Sequence, residues 1–148
     1  MKKRAQPRSH CPVNYGLEAF GDPWALLILR DIVFRGKRTY GEFLRAEEGW
    51  ATNILASRLG HLISMGILRR DPHETDRRKD LYSLTEKGLD LIPVLLEIVL
   101  WSAQHDASSE AHRIPRLVAA IRSGDRAIVD EVRERVRSGE GIVKYYLE

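Results

Sequence analysis

Residues 50–68 read WATNILASRLGHLISMGIL. At about 100° per residue, Leu55, Leu59 and Leu62 form a narrow apolar stripe, with Asn53, Ser57, His61 and Ser64 on the opposite side. The leucines are expected to hold this helix, about Thr52–Met65, on a core. Short polar side chains are then left outward, as a solvated face or as a face that reads something. What flanks the helix decides between the two.

Immediately upstream, Thr39 precedes YGEFLRA, a short helical segment with Tyr40, Phe43 and Leu44 on one face. Glu42 stands three residues after Thr39 and completes a capping-box pattern. Glu47-Glu48-Gly49 makes the turn, and helices joined by so short a link pack as an angled pair, which is helix-turn-helix geometry. If Ala51 is the N-cap of the second helix, Trp50 and Leu55 take hydrophobic-staple positions; Ala51 is a poor cap chemically, so Thr52 is the competing choice.

Further out, Val13–Phe20 reads as a short helix, stopped by Gly21-Asp22-Pro23, and WALLILRDIVFRG follows as a core helix ending at Gly36. Downstream, ILRRD and DLYSL bracket the charged PHETDRRK segment and read as a β-hairpin with a wing at about Pro72–Lys79. Thr85 is expected to cap one helix, EKGLDLIPVLLEIVLWSAQ, kinked near its start by Pro93. RIPRLVAAIRSG and DRAIVDEVRERVRSG add two amphipathic helices, with Gly124 and Gly139 as stops, packed on the post-wing helix. The fold class is therefore mainly α with a small β-hairpin: a winged helix-turn-helix with additional C-terminal helices. Its expected divisions are a basic arm over 1–12, the winged domain over 13–106 and a helical extension over 107–148.

Composition narrows the class. Among 148 residues, 24 Lys plus Arg against 21 Asp plus Glu give a formal +3, which permits a polyanionic partner without demanding one. The single Cys11 excludes an intramolecular disulfide framework and favours a cytoplasmic setting. The basic start, with Lys2, Lys3, Arg4 and Arg8, lacks a following apolar run and reads as an arm rather than a signal peptide. Leu91–Trp101, the most apolar stretch, is far short of the roughly 20 residues of a bilayer crossing, so no membrane partner is expected. His10, His61, His73, His105 and His112 are scattered, without a HExxH, a Cys-x-x-Cys or a phosphate-binding glycine loop. Neither catalysis nor a metal or other cofactor is expected.

The strings CPV (11–13), DPWALLILRD (22–31), TNILASRL (52–59) and LYSLTEKG (81–88), in this order, resemble the HxlR family of winged helix-turn-helix transcriptional regulators over about residues 11–105. Trp50 departs from the pattern, since similar proteins often carry a smaller aliphatic residue there. The resemblance implies a DNA-binding homodimer, with contacts from the N-terminal and post-wing helices. Leu17, Leu95, Ile98, Val99 and Trp101 are the candidate dimerisation residues. From the residues themselves, Leu91–Trp101 is apolar nearly all round, with Glu97 its one charge, and a second chain would bury what one small domain cannot.

On such a scaffold the start of the second helix reaches base edges in the major groove. Asn53 suits paired hydrogen bonds to adenine, Ser57 donates or accepts at several bases, Thr52 and His61 flank them, and Arg58 is placed for phosphate. Arg77, Arg78 and Lys79 at the wing tip are candidates for backbone or minor-groove contact, beside the plainer reading of a solvated charged loop. Lys37, Arg38, Thr39 and Tyr40 are candidates for phosphate at the first helix of the pair, with turn solubility and capping as the plainer role. The expected partner is a double-stranded operator; the alternative is a winged helix serving as a protein-interaction module. Cys11, in the basic context Arg8-Ser9-His10, is a candidate sensor, since some members of the resembled family use a cysteine in this region, and an inert thiol is the competing reading. A small-molecule effector at the dimer interface is the other candidate trigger.

Overall fold

The computed structural model describes residues 6–147, so Lys2, Lys3 and Arg4 of the expected arm lie outside the described residues. Helix α1 (Pro12–Phe20) and helix α2 (Pro23–Arg35) both begin at proline, where the missing N–H has no intrahelical acceptor to lose. Asp22 caps α2 by accepting from the Ala25 N–H at 2.9 Å. Gly36 ends α2 in the left-handed region, φ 67°, and the Lys37 N–H then donates back to the Asp31 carbonyl at 3.0 Å.

Helix α3 (Tyr40–Leu44) carries the anticipated cap: Thr39 Oγ1 accepts from the Glu42 N–H at 3.3 Å and donates to the Glu42 carboxylate at 2.9 Å. Helix α4 (Thr52–Ser64) has Ala51 at its N-cap with no side-chain capping bond, which settles the boundary in favour of Ala51. Trp50 compensates through packing, its ring centroid 4.5 Å from that of Trp24 in α2. Leu55, Leu59 and Leu62 are buried among α2 and α3 residues, as their spacing requires.

Strand β1 (Leu68–Pro72) pairs antiparallel with strand β2 (Asp80–Leu84), in register from Leu68↔Leu84 to Pro72↔Asp80, with 73–79 as the tip. Leu68, Tyr82 and Leu84 face the core, where Tyr82 meets the buried Phe43 edge-on at 6.0 Å between centroids. The Tyr82 N–H donates to the Arg38 carbonyl at 2.7 Å, so the segment before α3 borders the outer edge of the hairpin.

The post-wing region differs from the expected single kinked helix. Thr85 caps a short α5 (Glu86–Leu89), the chain breaks at Asp90-Leu91, and α6 (Ile92–His105) starts afresh. The reason is Pro93: within a continuous helix it would remove a hydrogen bond and clash with the preceding turn, whereas in a first turn it costs neither. Gly88 lies so close to the Ile67 carbonyl that a side chain there would overlap it, which seats α5 on the base of the wing.

Beyond α6 come a 3₁₀ turn (Glu110–Arg113), α7 (Pro115–Arg122), α8 (Arg126–Arg137) and α9 (Val143–Tyr146). Gly124 and Gly139 stop α7 and α8 with φ of 71° and 85°. Leu117, Val132 and Ile142 are fully buried in the same apolar cluster as Leu29, Leu59 and Leu96, so the core continues past the expected boundary at 106/107. The chain returns to its start: the Ile142 N–H donates to the Val33 carbonyl at 3.2 Å, and Gly36 and Gly141 touch backbone to backbone.

Candidate nucleic-acid interface

The polar face of α4 divides along its length. In the first turn Thr52 and Asn53 are exposed; the Asn53 side chain makes no hydrogen bond among the described residues, and the Thr52 carbonyl accepts from the Tyr40 hydroxyl at 3.0 Å. One to two turns later the side chains are committed. Arg58 Nε donates to Asp22 Oδ2 at 2.8 Å, both side chains being 16% exposed, and an Arg58 Nη also donates to Ser57 Oγ at 3.4 Å. His61 Nε2 lies 3.0 and 3.1 Å from the Glu18 and Ala19 carbonyls at the end of α1, which requires the proton on Nε2. Burial pushes the Asp22 carboxyl up, but the hydrogen bonds from Arg58 and the Ala25 N–H outweigh it and hold Asp22 below its ordinary value.

On α4, Arg58 is bound to Asp22 and His61 pins α4 to α1, because the chain folds acceptors from α1 and the start of α2 against that part of the helix. Lys37 is likewise engaged within the chain. Its Nζ lies 3.1 Å from Asp31, the one fully buried charged residue among those described, which is also bound by Arg30 at 2.9 Å and approached by Arg35 at 3.6 Å. Arg38 reaches Ser83 at 3.3 Å and packs over Gly139, and Thr39 is occupied in capping. Of that group Tyr40 keeps acceptor capacity on its hydroxyl, beside the first turn of α4.

At the wing tip, Arg77 and Lys79 are exposed and make no ion pair within 4 Å among the described residues. Arg78 folds back on Asp76, donating at 3.1 and 3.3 Å, and lowers that carboxyl, so part of its charge is answered locally. His73 organises this tip: its Nδ1 accepts from the backbone N–H groups of Thr75 at 3.2 Å and Asp76 at 3.1 Å. Spacing in the sequence carried no sign of that role. Arg45, at the end of α3, is a further exposed cation without an ion pair among the described residues; charge alone was its signal.

Cys11 is exposed and sits at the N-cap of α1. Of the candidate dimerisation residues, Leu17, Ile98 and Trp101 are 60%, 44% and 64% exposed, with Val13 and Tyr15 beside Leu17 also outward. Leu95 lies on the inner side of α6, in the core of the single chain. Val99 is half-buried at the edge between the two. Among the described residues no cluster of metal-ligating side chains occurs, and no helix is long and apolar enough to cross a membrane.

Comparison with known proteins bears on this geometry. A helix-turn-helix-type transcriptional regulator of Synechocystis is 35% identical over 86 residues, covering 58% of this chain and 63% of its own length; the chain thus spans under two thirds of that relative. The redox regulator HypR in its reduced form superposes with a TM-score of 0.57 at 30% identity, covering 66% of this chain and 95% of HypR. The crystal structure of PA1607, described as a candidate transcription factor, gives a TM-score of 0.62 at 36% identity, covering 70% of each chain. The family model for the HxlR-like helix-turn-helix matches residues 19–110, the segment that contains α2 to α6, and this chain belongs to the HxlR family of winged-helix transcriptional regulators.

Proposed function

We propose that this protein is a cytoplasmic, sequence-specific regulator of transcription that binds a double-stranded operator as a homodimer. The observation that carries the reading is the division of α4: an exposed first turn with Asn53 outward, on a helix held firmly by Arg58, His61 and three buried leucines. A rigid helix with a free N-terminal turn is what direct readout in the major groove needs. Thr52 and Asn53 supply base-edge contacts, and Arg77, Lys79 and, more weakly, Arg78 supply phosphate contacts. The exposed apolar faces of α1 and α6, with Leu17, Ile98 and Trp101, supply the twofold contact that spaces two α4 helices.

Anisotropy titration of labelled DNA from upstream of the protein's own gene, against scrambled DNA at physiological salt, tests this. A preference for the upstream DNA supports the reading. Equal weak binding to every promoter fragment tried, with a monomer in light scattering, favours a protein-interaction module whose partner covers Ile98 and Trp101.

A second reading concerns the signal. The exposed position of Cys11 and the likeness to the redox regulator HypR support thiol sensing. As the chain has one cysteine, a disulfide at Cys11 has to join it to a partner chain or to a small thiol. An unchanged response of Cys11→Ser protein to diamide excludes it.

A further inference from the structure

A cavity of about 450 Å³ lies between α2, α6, the 3₁₀ turn and α9. Its volume is that of a small-molecule site. The inner wall is apolar, formed by Leu26, Leu27, Phe34, Leu95, Ile98 and Val99. The rim is cationic: Arg30, Arg35 and Arg113 border it with Glu110 as the one acid, and Arg113 makes no ion pair among the described residues.

Two of those cations also hold the helix-turn-helix turn. Arg30 grips Glu48 with two parallel hydrogen bonds, and Arg35 donates to Glu47 at 3.1 Å. The hydrogen bonds from Arg30 keep the Glu48 carboxyl at about 2, against the desolvation that opposes them. From the other side Arg30 is anchored on buried Asp31 at 2.9 Å, so its guanidinium keeps its place if Glu48 leaves.

Resting on the regulatory reading above, we propose that this cavity binds a small organic acid, its apolar body against α2 and α6 and its carboxylate on Arg30 and Arg35. The ligand carboxylate competes with Glu48 and Glu47 for the same guanidinium donors. Occupancy releases the 45–51 turn from α2 and lowers the affinity of α4 for DNA. A neutral ligand of the same shape fills the wall and leaves the turn in place, because it offers Arg30 no charge to exchange.

The test uses the full chain with 2-naphthoate and its neutral isostere 2-naphthamide, titrated by calorimetry without DNA. The acid is expected to bind roughly tenfold or more tightly than the amide. Glu48→Gln removes the internal competitor and tightens naphthoate binding; Val143→Trp, which fills the cavity from α9, abolishes it. In anisotropy, naphthoate is expected to weaken operator binding roughly fivefold or more, and to lose that effect in Glu48→Gln protein.

Equal binding of acid and amide, or unchanged naphthoate affinity in Glu48→Gln, overturns the carboxylate exchange. Binding of neither compound overturns the site altogether, and protection of α6 from hydrogen exchange on dimerisation would then assign the cavity to a second copy of the chain. Failure of all DNA fragments to bind, with naphthoate binding intact, removes the regulatory reading and leaves the acid site standing.

Discussion

The first turn of α4 and the two turns after it carry similar polar residues, and the fold treats them differently. Thr52 and Asn53 point outward, while Arg58 and His61 are drawn into bonds with Asp22 and with the α1 carbonyls. The difference lies in what packs alongside. The end of α1 and the Asp22 cap of α2 meet the middle of α4, and its first turn projects beyond them. The polar residues of one helix are therefore not one unit; one end stays available, and the other is spent on holding the helix still.

Removing a tie should break this comparison most severely. Arg58→Ala leaves the largely covered Asp22 without its cation and is expected to cost about 2 kcal/mol of stability, with the base preference of whatever protein remains folded unchanged. Thermal unfolding alongside binding-site selection separates the two effects, and a changed base preference would place Arg58 on the DNA after all.

Asn53→Ala should do the converse. Stability stays within about 0.5 kcal/mol, and discrimination at one base position falls by about 1 to 2 kcal/mol. Loss of stability without loss of discrimination would make the first turn a structural element like the rest of the helix.

Acid probes the tie between α2 and the turn. Glu48 has its ordinary carboxylate value in the unfolded chain and about 2 in the folded one, so its contribution to stability is fully present above the ordinary value, near 4.5, and is lost as pH falls toward 2. Glu48→Gln should flatten the fall of the unfolding midpoint across that window. An unaltered midpoint curve would show that the Arg30 contact has little weight in solution.

The smallest effect is expected at the wing. Arg77→Ala should weaken cognate and scrambled DNA alike and reduce the slope of log affinity against log salt by roughly one. Arg78→Ala should do less, since Asp76 already answers part of that charge. If Arg77→Ala altered base preference, the wing tip would belong to the reading end.

Much of the architecture was legible along the chain because it is specified locally. Thr39 with Glu42, Asp22 with Pro23, and Gly36, Gly124 and Gly139 each act within a turn of where they stand, and each stops or starts the element expected of it. The leucine spacing of α4 and the charged interval between ILRRD and DLYSL are local in the same sense. The break at Asp90-Leu91 was a near miss of this kind: Pro93 signalled a disturbance, and the chain begins a new helix there instead of kinking one.

The sequence by itself determined the order of elements as far as the wing, the helix-turn-helix and the family, because caps, periodicity and motif order need only neighbours within a few residues. Tertiary structure alone decided which polar residues remain available. Lys37 is consumed by a buried Asp31, His61 by carbonyls more than 40 residues away, and Leu95 by the core rather than the surface. Those outcomes rest on which acceptors and apolar surfaces packing brings to a side chain, and separation along the chain carries no record of that.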